Sequence, residues 1–234
     1  MIDFSKESKI MVVAAHPDDE ILGCGATVHK YTKNGVEAHA LVLGTGVASR
    51  CEHNITDSIN EIDNLRKDAK DSADIIGFKT ISFEDFPDNK MDSVSLLDVV
   101  RKIEFYASKL KPSIILTHHH GDLNVDHRMT FNAVITAFRP LKGSSVNTIL
   151  CFETPSSTEW NFPYYKNSYS PNVFIDIKNE INVKLKALEC YKSEICQAPH
   201  PRSAESIQAI AQRWGNVAGF KYAEAFELIM SKLV

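Results

Sequence analysis

Two stretches of the 234-residue chain concentrate the side chains that can bind a metal or move protons. The first is Ala15-His16-Pro17-Asp18-Asp19-Glu20. Imidazole nitrogen and carboxylate oxygen are both good zinc ligands, and a catalytic zinc site keeps one position for water. Pro17 suits the first turn of a helix, where a missing N–H costs nothing. His16 is therefore expected at the tip of a preceding strand, with Asp18 and Asp19 in the opening helical turn. Three residues apart across that turn, His16 and Asp19 can face one point, whereas Asp18 projects elsewhere and need not hold the same ion. The helix dipole alone also favours acidic residues in a first turn, so the pair gains meaning from His16 beside it.

Two ligands do not make a site. The second stretch, His118-His119-His120-Gly121-Asp122-Leu123-Asn124-Val125-Asp126-His127-Arg128, is the densest polar cluster in the chain. Gly121 and Asn124 allow the backbone to turn, and His127, at the mouth of a following helix, can face back to the first stretch as a third ligand. Asp126 reads either as a helix N-cap or as a carboxylate that orients a ligating imidazole. Strand alternation sends His118 and His120 to one side, as candidates for an acid or oxyanion role or as ordinary loop residues. His119 reads as an exposed loop residue.

The elements that must position these groups are legible as short apolar runs alternating with helical periodicity. Residues 9–15, 38–44, 113–117, 148–152 and 172–177 read as buried strands, since short Val- and Ile-rich runs between turn signals suit a parallel sheet covered on both faces. Apolar stripes at Ile59, Ile62, Leu65, Ala69, Ala73 and Ile76, at Leu96, Val100, Ile103, Ala107 and Leu110, and at Ile181, Leu185, Leu188, Tyr191 and Ile195 read as helices packed on that sheet. Lys111-Pro112 ends the second of them. The alternation predicts an α/β fold with a mostly parallel central sheet, in which ligands sit beyond the carboxyl ends of the strands. Both polar stretches follow such ends. Gly23 and Gly25, costly inside a helix, predict close backbone packing.

Composition narrows the class further. Hydrophobic residues make up 44%, charged residues 24%, and the formal net charge is −4, so neither a nucleic-acid footprint nor a membrane span is expected. The five cysteines are widely spaced with no C-x-x-C pair, which fits reduced thiols in a cytoplasmic protein. The opening residues MIDFSKES lack the pattern of an export signal. One domain over residues 1–234 is expected, and a homo-oligomer is left open. A dinucleotide-binding fold lacks its G-x-G-x-x-G fingerprint here.

The blocks Ala15-His16-Pro17-Asp18-Asp19-Glu20 and Gly121-Asp122-Leu123-Asn124-Val125-Asp126-His127-Arg128 make the chain resemble the PIG-L/LmbE-like deacetylases. That resemblance implies a Rossmann-like three-layer sandwich, Zn2+ held by His16, Asp19 and His127, and Asp18 as general base. It implies hydrolysis of an N-acetyl group on an amino sugar, whether nucleotide-, lipid- or glycoside-linked. Arg50 sits where such proteins place a substrate-binding arginine. Asn124 stands where several carry a histidine; asparagine can donate to an oxyanion but cannot supply a proton, so the acid falls to Asp18 itself or to His118, His120 or His200. The segment Pro199-His200-Pro201-Arg202-Ser203 reads as a substrate rim with His200 and Arg202 held outward and Ser203 capping a helix. The competing readings are an amidase on a larger sugar or thiol conjugate and a non-catalytic zinc- or carbohydrate-binding module.

Overall fold

The computed structural model describes residue 2 and residues 4–46, 55–162 and 168–232. Arg50 lies outside them. The chain alternates β1 (Lys9–Ala14), α1 (Asp19–Lys33), β2 (Glu37–Gly44), α2 (Ile55–Ile76), β3 (Thr80–Phe86), α3 (Leu96–Leu110), β4 (Ile114–His118), α4 (Val125–Ala137), β5 (Thr148–Phe152), β6 (Val173–Asp176), α5 (Ile181–Leu188), α6 (Ala204–Ala218) and β7 (Ala223–Ser231). One seven-stranded sheet runs β3-β2-β1-β4-β5-β7-β6. The first five strands are parallel to one another, and β7 runs antiparallel to β5 and β6.

Alternation along β1 explains the layering. Ile10 and Val12 join a core with Leu65, Ala69, Phe152 and Tyr191 on one face. Met11 and Val13 join Val99, Val100, Ile103 and Val134 on the other. Both faces are dry, which is why the parallel strands read as unbroken apolar runs. After β1 the chain builds outward through β2 and β3, then returns to lay β4 on β1's other side. The crossovers diverge between β1 and β4, so a crevice opens beyond their carboxyl ends. Both polar stretches empty into it.

Two strands escape the sequence pattern. β3 is an edge strand with half-exposed side chains; its Ile81 and Phe83 alternate with polar residues, a signal too short to stand against the surrounding charge. β7 reads Ala-Glu-Ala-Phe-Glu-Leu-Ile-Met-Ser, a composition of good helix formers that tertiary pairing overrides. The helices differ at their ends. Ile59 is 55% exposed, and Ile195 lies well beyond α5, which stops at Leu188. Pro17 and Asp18 also precede α1 rather than opening it. Asp18 has φ 98°, a left-handed backbone that cannot continue a helix. Lys111 ends α3 in a left-handed conformation with φ 51°, and the proline after it disfavours any continuation as a right-handed helix.

Gly23 is fixed by close approach. A Cβ there would fall inside the ring of Phe152, itself fully buried. Gly23→Ala is therefore expected to overpack the α1–β5 contact and destabilise the protein by about 1–3 kcal/mol, read as a lower midpoint in urea with an unchanged slope.

Candidate metal and catalytic site

The crevice between β1 and β4 brings His16, Asp19 and His127 together, with their ligand atoms within 4.8 Å of one another. Asp19 is sealed from solvent at the start of α1. Its Oδ2 lies 3.5 Å from His16 Nδ1 and 3.3 Å from His127 Nε2. Burial alone would raise the Asp19 pKa. The His127 and His16 rings outweigh it and hold the carboxyl well below its usual range.

Each imidazole is aimed by a carboxylate of its own. Asp126 Oδ2 lies 2.9 Å from His16 Nε2, with Asp88 Oδ1 at 3.1 Å. Asp126 is itself held by the Asn89 and Met91 N–H groups at 2.7 and 2.9 Å. Asp122 Oδ1 lies 3.1 Å from His127 Nδ1, and the Ser157 and Thr158 hydroxyls donate to Asp122. These carboxylates accept the hydrogen bond of each outer nitrogen, so that once the rings are neutral His16 Nδ1 and His127 Nε2 are the nitrogens left to ligate beside Asp19. The helix N-cap is Asn124, whose Oδ1 accepts from Asp126 N at 2.8 Å.

These residues fit a cation. Asp19 Oδ1 and His127 Nε2 are buried polar atoms without a hydrogen-bond partner, a costly condition that an ion between them would relieve. Two imidazoles and one carboxylate are a zinc-type donor set. Other His and carboxylate groups also come within ligand range. One depends on His118, whose Nε2 accepts the Ala15 N–H at 2.9 Å and whose Nδ1 faces Thr154 Oγ1 at 3.1 Å. Another, His16 with Asp88 and Asp126, uses the nitrogen already bound to its orienting carboxylate. A third, His119 with His120 and Glu227, has His119 Nδ1 accepting from the Gly121 N–H.

An open cavity of about 180 Å³ adjoins the cluster, lined among others by His16, Asp18, Asp88, Asn89, Asn124 and Arg202. Asp18 is buried at its wall and its N–H donates to Glu20 Oε2 at 3.1 Å. Burial lifts its carboxyl well above the usual range, the Arg202 guanidinium opposes this, and Asp19 and Glu194 reinforce it. Glu20, lifted by burial to about 7, accepts from the Tyr191 hydroxyl.

Several sequence expectations change here. His118 is fully buried, both its nitrogens are engaged, and burial holds its pKa down near 3; it stacks on His127 with ring centroids 3.9 Å apart and has no proton to offer the cavity. His120 packs on His119 and Phe131, away from the cavity lining. His119 is buried, not exposed. His200 stands edge-on to Trp160 and accepts the Arg202 N–H, while Arg202 turns inward onto Asp18 at 2.8 Å rather than outward. Ser203 does cap α6. Asp88, Asn89 and Asp122 were missed. The first two follow β3, and recognising that strand would have placed Pro87-Asp88-Asn89 at the ligand end of the sheet.

The family model for PIG-L, described as GlcNAc-PI de-N-acetylase, matches residues 11–138, a span that holds both polar stretches. The chain belongs to the PIG-L family. Membership makes this PIG-L protein a de-N-acetylase by class. It is 25% identical to diacetylchitobiose deacetylase of Thermococcus kodakarensis over 97% of this chain and 85% of that one. It is 30% identical to the uncharacterized deacetylase YaiS of Escherichia coli over 81% and 93%. The fold matches N,N'-diacetylchitobiose deacetylase from Pyrococcus horikoshii at TM-score 0.77, with 22% identity over 95% of this chain and 84% of that one. It also matches GalB, a 4-carboxy-2-hydroxymuconate hydratase from Pseudomonas putida, at TM-score 0.75 and 18% identity over 97% and 98%. The likeness to solved structures therefore establishes the three-layer α/β fold, and the chemistry has to be argued from the site.

A proton must leave before His127 can ligate. Burial lowers its pKa, but Asp122 and Asp19 raise it to about 9. Below that pH the metal-free ring is protonated, and His16 is likewise raised well above its usual value, against burial, by Asp126, Asp19 and Asp88. Binding therefore releases up to two protons, and apparent Zn2+ affinity should rise about ten- to a hundredfold per pH unit between about pH 6 and 8. Chelator competition measures this; an affinity flat across that range would contradict the arrangement.

Proposed function

We propose that this PIG-L protein is a zinc-dependent hydrolase that removes the N-acetyl group from a GlcNAc-type amino sugar, with His16, Asp19 and His127 as ligands and Asp18 as general base. The observation that carries the proposal is the convergence of two carboxylate-oriented imidazoles on Asp19, next to a second carboxylate that faces an open cavity. A bound zinc ion would polarise the amide carbonyl and lower the pKa of water to about 7.

The protein's own groups do the rest. Asp18 accepts the proton of the attacking water as its oxygen adds to the acetyl carbon. Asn124 uses one amide N–H on Asn89 Oδ1 and has a second for the developing oxyanion. The same Asp18 returns its proton to the sugar nitrogen as the C–N bond breaks, releasing acetate and the free amine. Asp18 as the acid is supported by the surroundings: Asn124 has no proton to give, His118 has no free N–H, and His120 and His200 are not among the described residues lining the cavity. Substrate contacts by Arg50 remain part of the proposal, on the resemblance alone.

The proposal extends to one domain over residues 1–234, supported by a single sheet that takes strands from Lys9 to Ser231. It includes a cytoplasmic setting, supported by free thiols at Cys24, Cys151, Cys190 and Cys196. Among the described residues, no helix is long and apolar enough to cross a membrane.

Amine release from N-acetylglucosamine, its glycosides and its nucleotide derivatives tests the reaction. Asp18→Asn should keep one zinc per chain and lose about 10²- to 10⁴-fold in kcat, whereas His16→Ala should lose the metal. Stoichiometric zinc without amine release from any N-acetyl sugar would favour a binding module. Near-normal turnover by Asp18→Asn would remove the base assignment.

A further inference from the structure

Nothing in its own helix fixes the carboxylate of Asp18. The residue precedes α1 in a left-handed backbone conformation and its side chain makes no capping bond. Glu20 holds its N–H but not its side chain. The carboxylate is instead reached from far along the sequence. Arg202, in the loop before α6, places Nη1 2.8 Å from Asp18 Oδ2. That arginine is braced in turn: its Nε donates to Ser156 Oγ at 2.9 Å and to Pro155 O at 3.3 Å, its N–H donates to His200 Nδ1, and Glu194 lies 3.7 Å from Nη1. The loop after β5 and the start of α6 thus converge on a single guanidinium.

We propose that Arg202 is the positioning residue for Asp18, fixing which carboxylate oxygen is offered to the reacting water. The role of Asp18 in that statement rests on the deacetylase reading; the role of Arg202 comes from the geometry of a segment outside both polar motifs. By engaging Oδ2 through Nη1, the guanidinium leaves Oδ1 outside the ion pair. It also sets a counter-charge beside a carboxylate whose neighbours Asp19, Glu20 and Glu194 are all acidic. Arginine suits the task because its planar fork grips Asp18 and Ser156 with different nitrogens, a geometry that the point charge of lysine cannot reproduce.

A double-mutant cycle on the zinc-loaded protein, with N,N'-diacetylchitobiose as the probe, tests this. Arg202→Ala is expected to lower kcat about 10- to 100-fold, with KM changed less than about threefold and zinc content unchanged. Arg202→Lys should recover part of the loss. In the Asp18→Asn background, Arg202→Ala should cost nothing more, because an interaction that acts through one partner vanishes with that partner. An equal penalty in both backgrounds, or a loss confined to KM, overturns the proposal. Crystal structures give a readout independent of turnover: one Asp18 rotamer in the wild type, and a displaced or multiple one in Arg202→Ala. An Asp18 side chain unmoved in that variant overturns the proposal even if the wild type is inactive. Absence of wild-type turnover on every N-acetyl sugar counts against the deacetylase reading instead.

Discussion

A carboxylate with no access to water sits at the end of the first strand, and the rest of the site is organised around keeping it charged. Asp19 is completely buried. Leaving a charge there without partners would cost several kcal/mol, so His16 and His127 close on it from two separate loops. Those rings stay directed at it because Asp126 and Asp122 hold their far nitrogens. The outer carboxylates are held in turn by the backbone of residues 89–91 and by Ser157 and Thr158. The network therefore spans the loops after β1, β3, β4 and β5, which a parallel sheet brings to one edge. The fold matters to function chiefly as the device that assembles these four loops.

Much of this was legible in the sequence, for identifiable reasons. The central strands were readable because burial on both faces makes them uniformly apolar. His16, Asp19 and His127 were readable because each follows such a strand at a helix mouth. What escaped was set by tertiary partners. β7 is composed like a helix and becomes a strand by pairing with β5 and β6. The two histidines at the end of the fourth strand show the limit most clearly. His118 and His119 differ in no local pattern from a ligand or an exposed loop residue. Their burial follows from Ala15, Thr154 and Glu227, which lie far away in the chain. Glu224 accepts the N–H groups of Ala26 and Thr27 and pairs with buried Lys184 at 2.6 Å, tying β7 and α5 to the helix that carries Asp19.

The same three-layer fold matches both deacetylases and a hydratase, so the sheet alone does not choose the reaction. In this chain the choice lies with a few polar side chains around one cavity. On the proposed reaction, Asn124, which has no proton to give, together with the engagement of both His118 nitrogens, leaves proton transfer to Asp18. That demand gives weight to whatever steers the Asp18 carboxylate, which in this structure is a guanidinium from the other end of the chain.

The account stands on where the cation binds. Anomalous diffraction at the zinc edge from crystals of the zinc-loaded protein locates it directly. The account predicts a single strong peak about 2.0–2.2 Å from His16 Nδ1, His127 Nε2 and a carboxylate oxygen of Asp19. A principal peak at His119, His120 and Glu227, or none between His16 and His127, would contradict it.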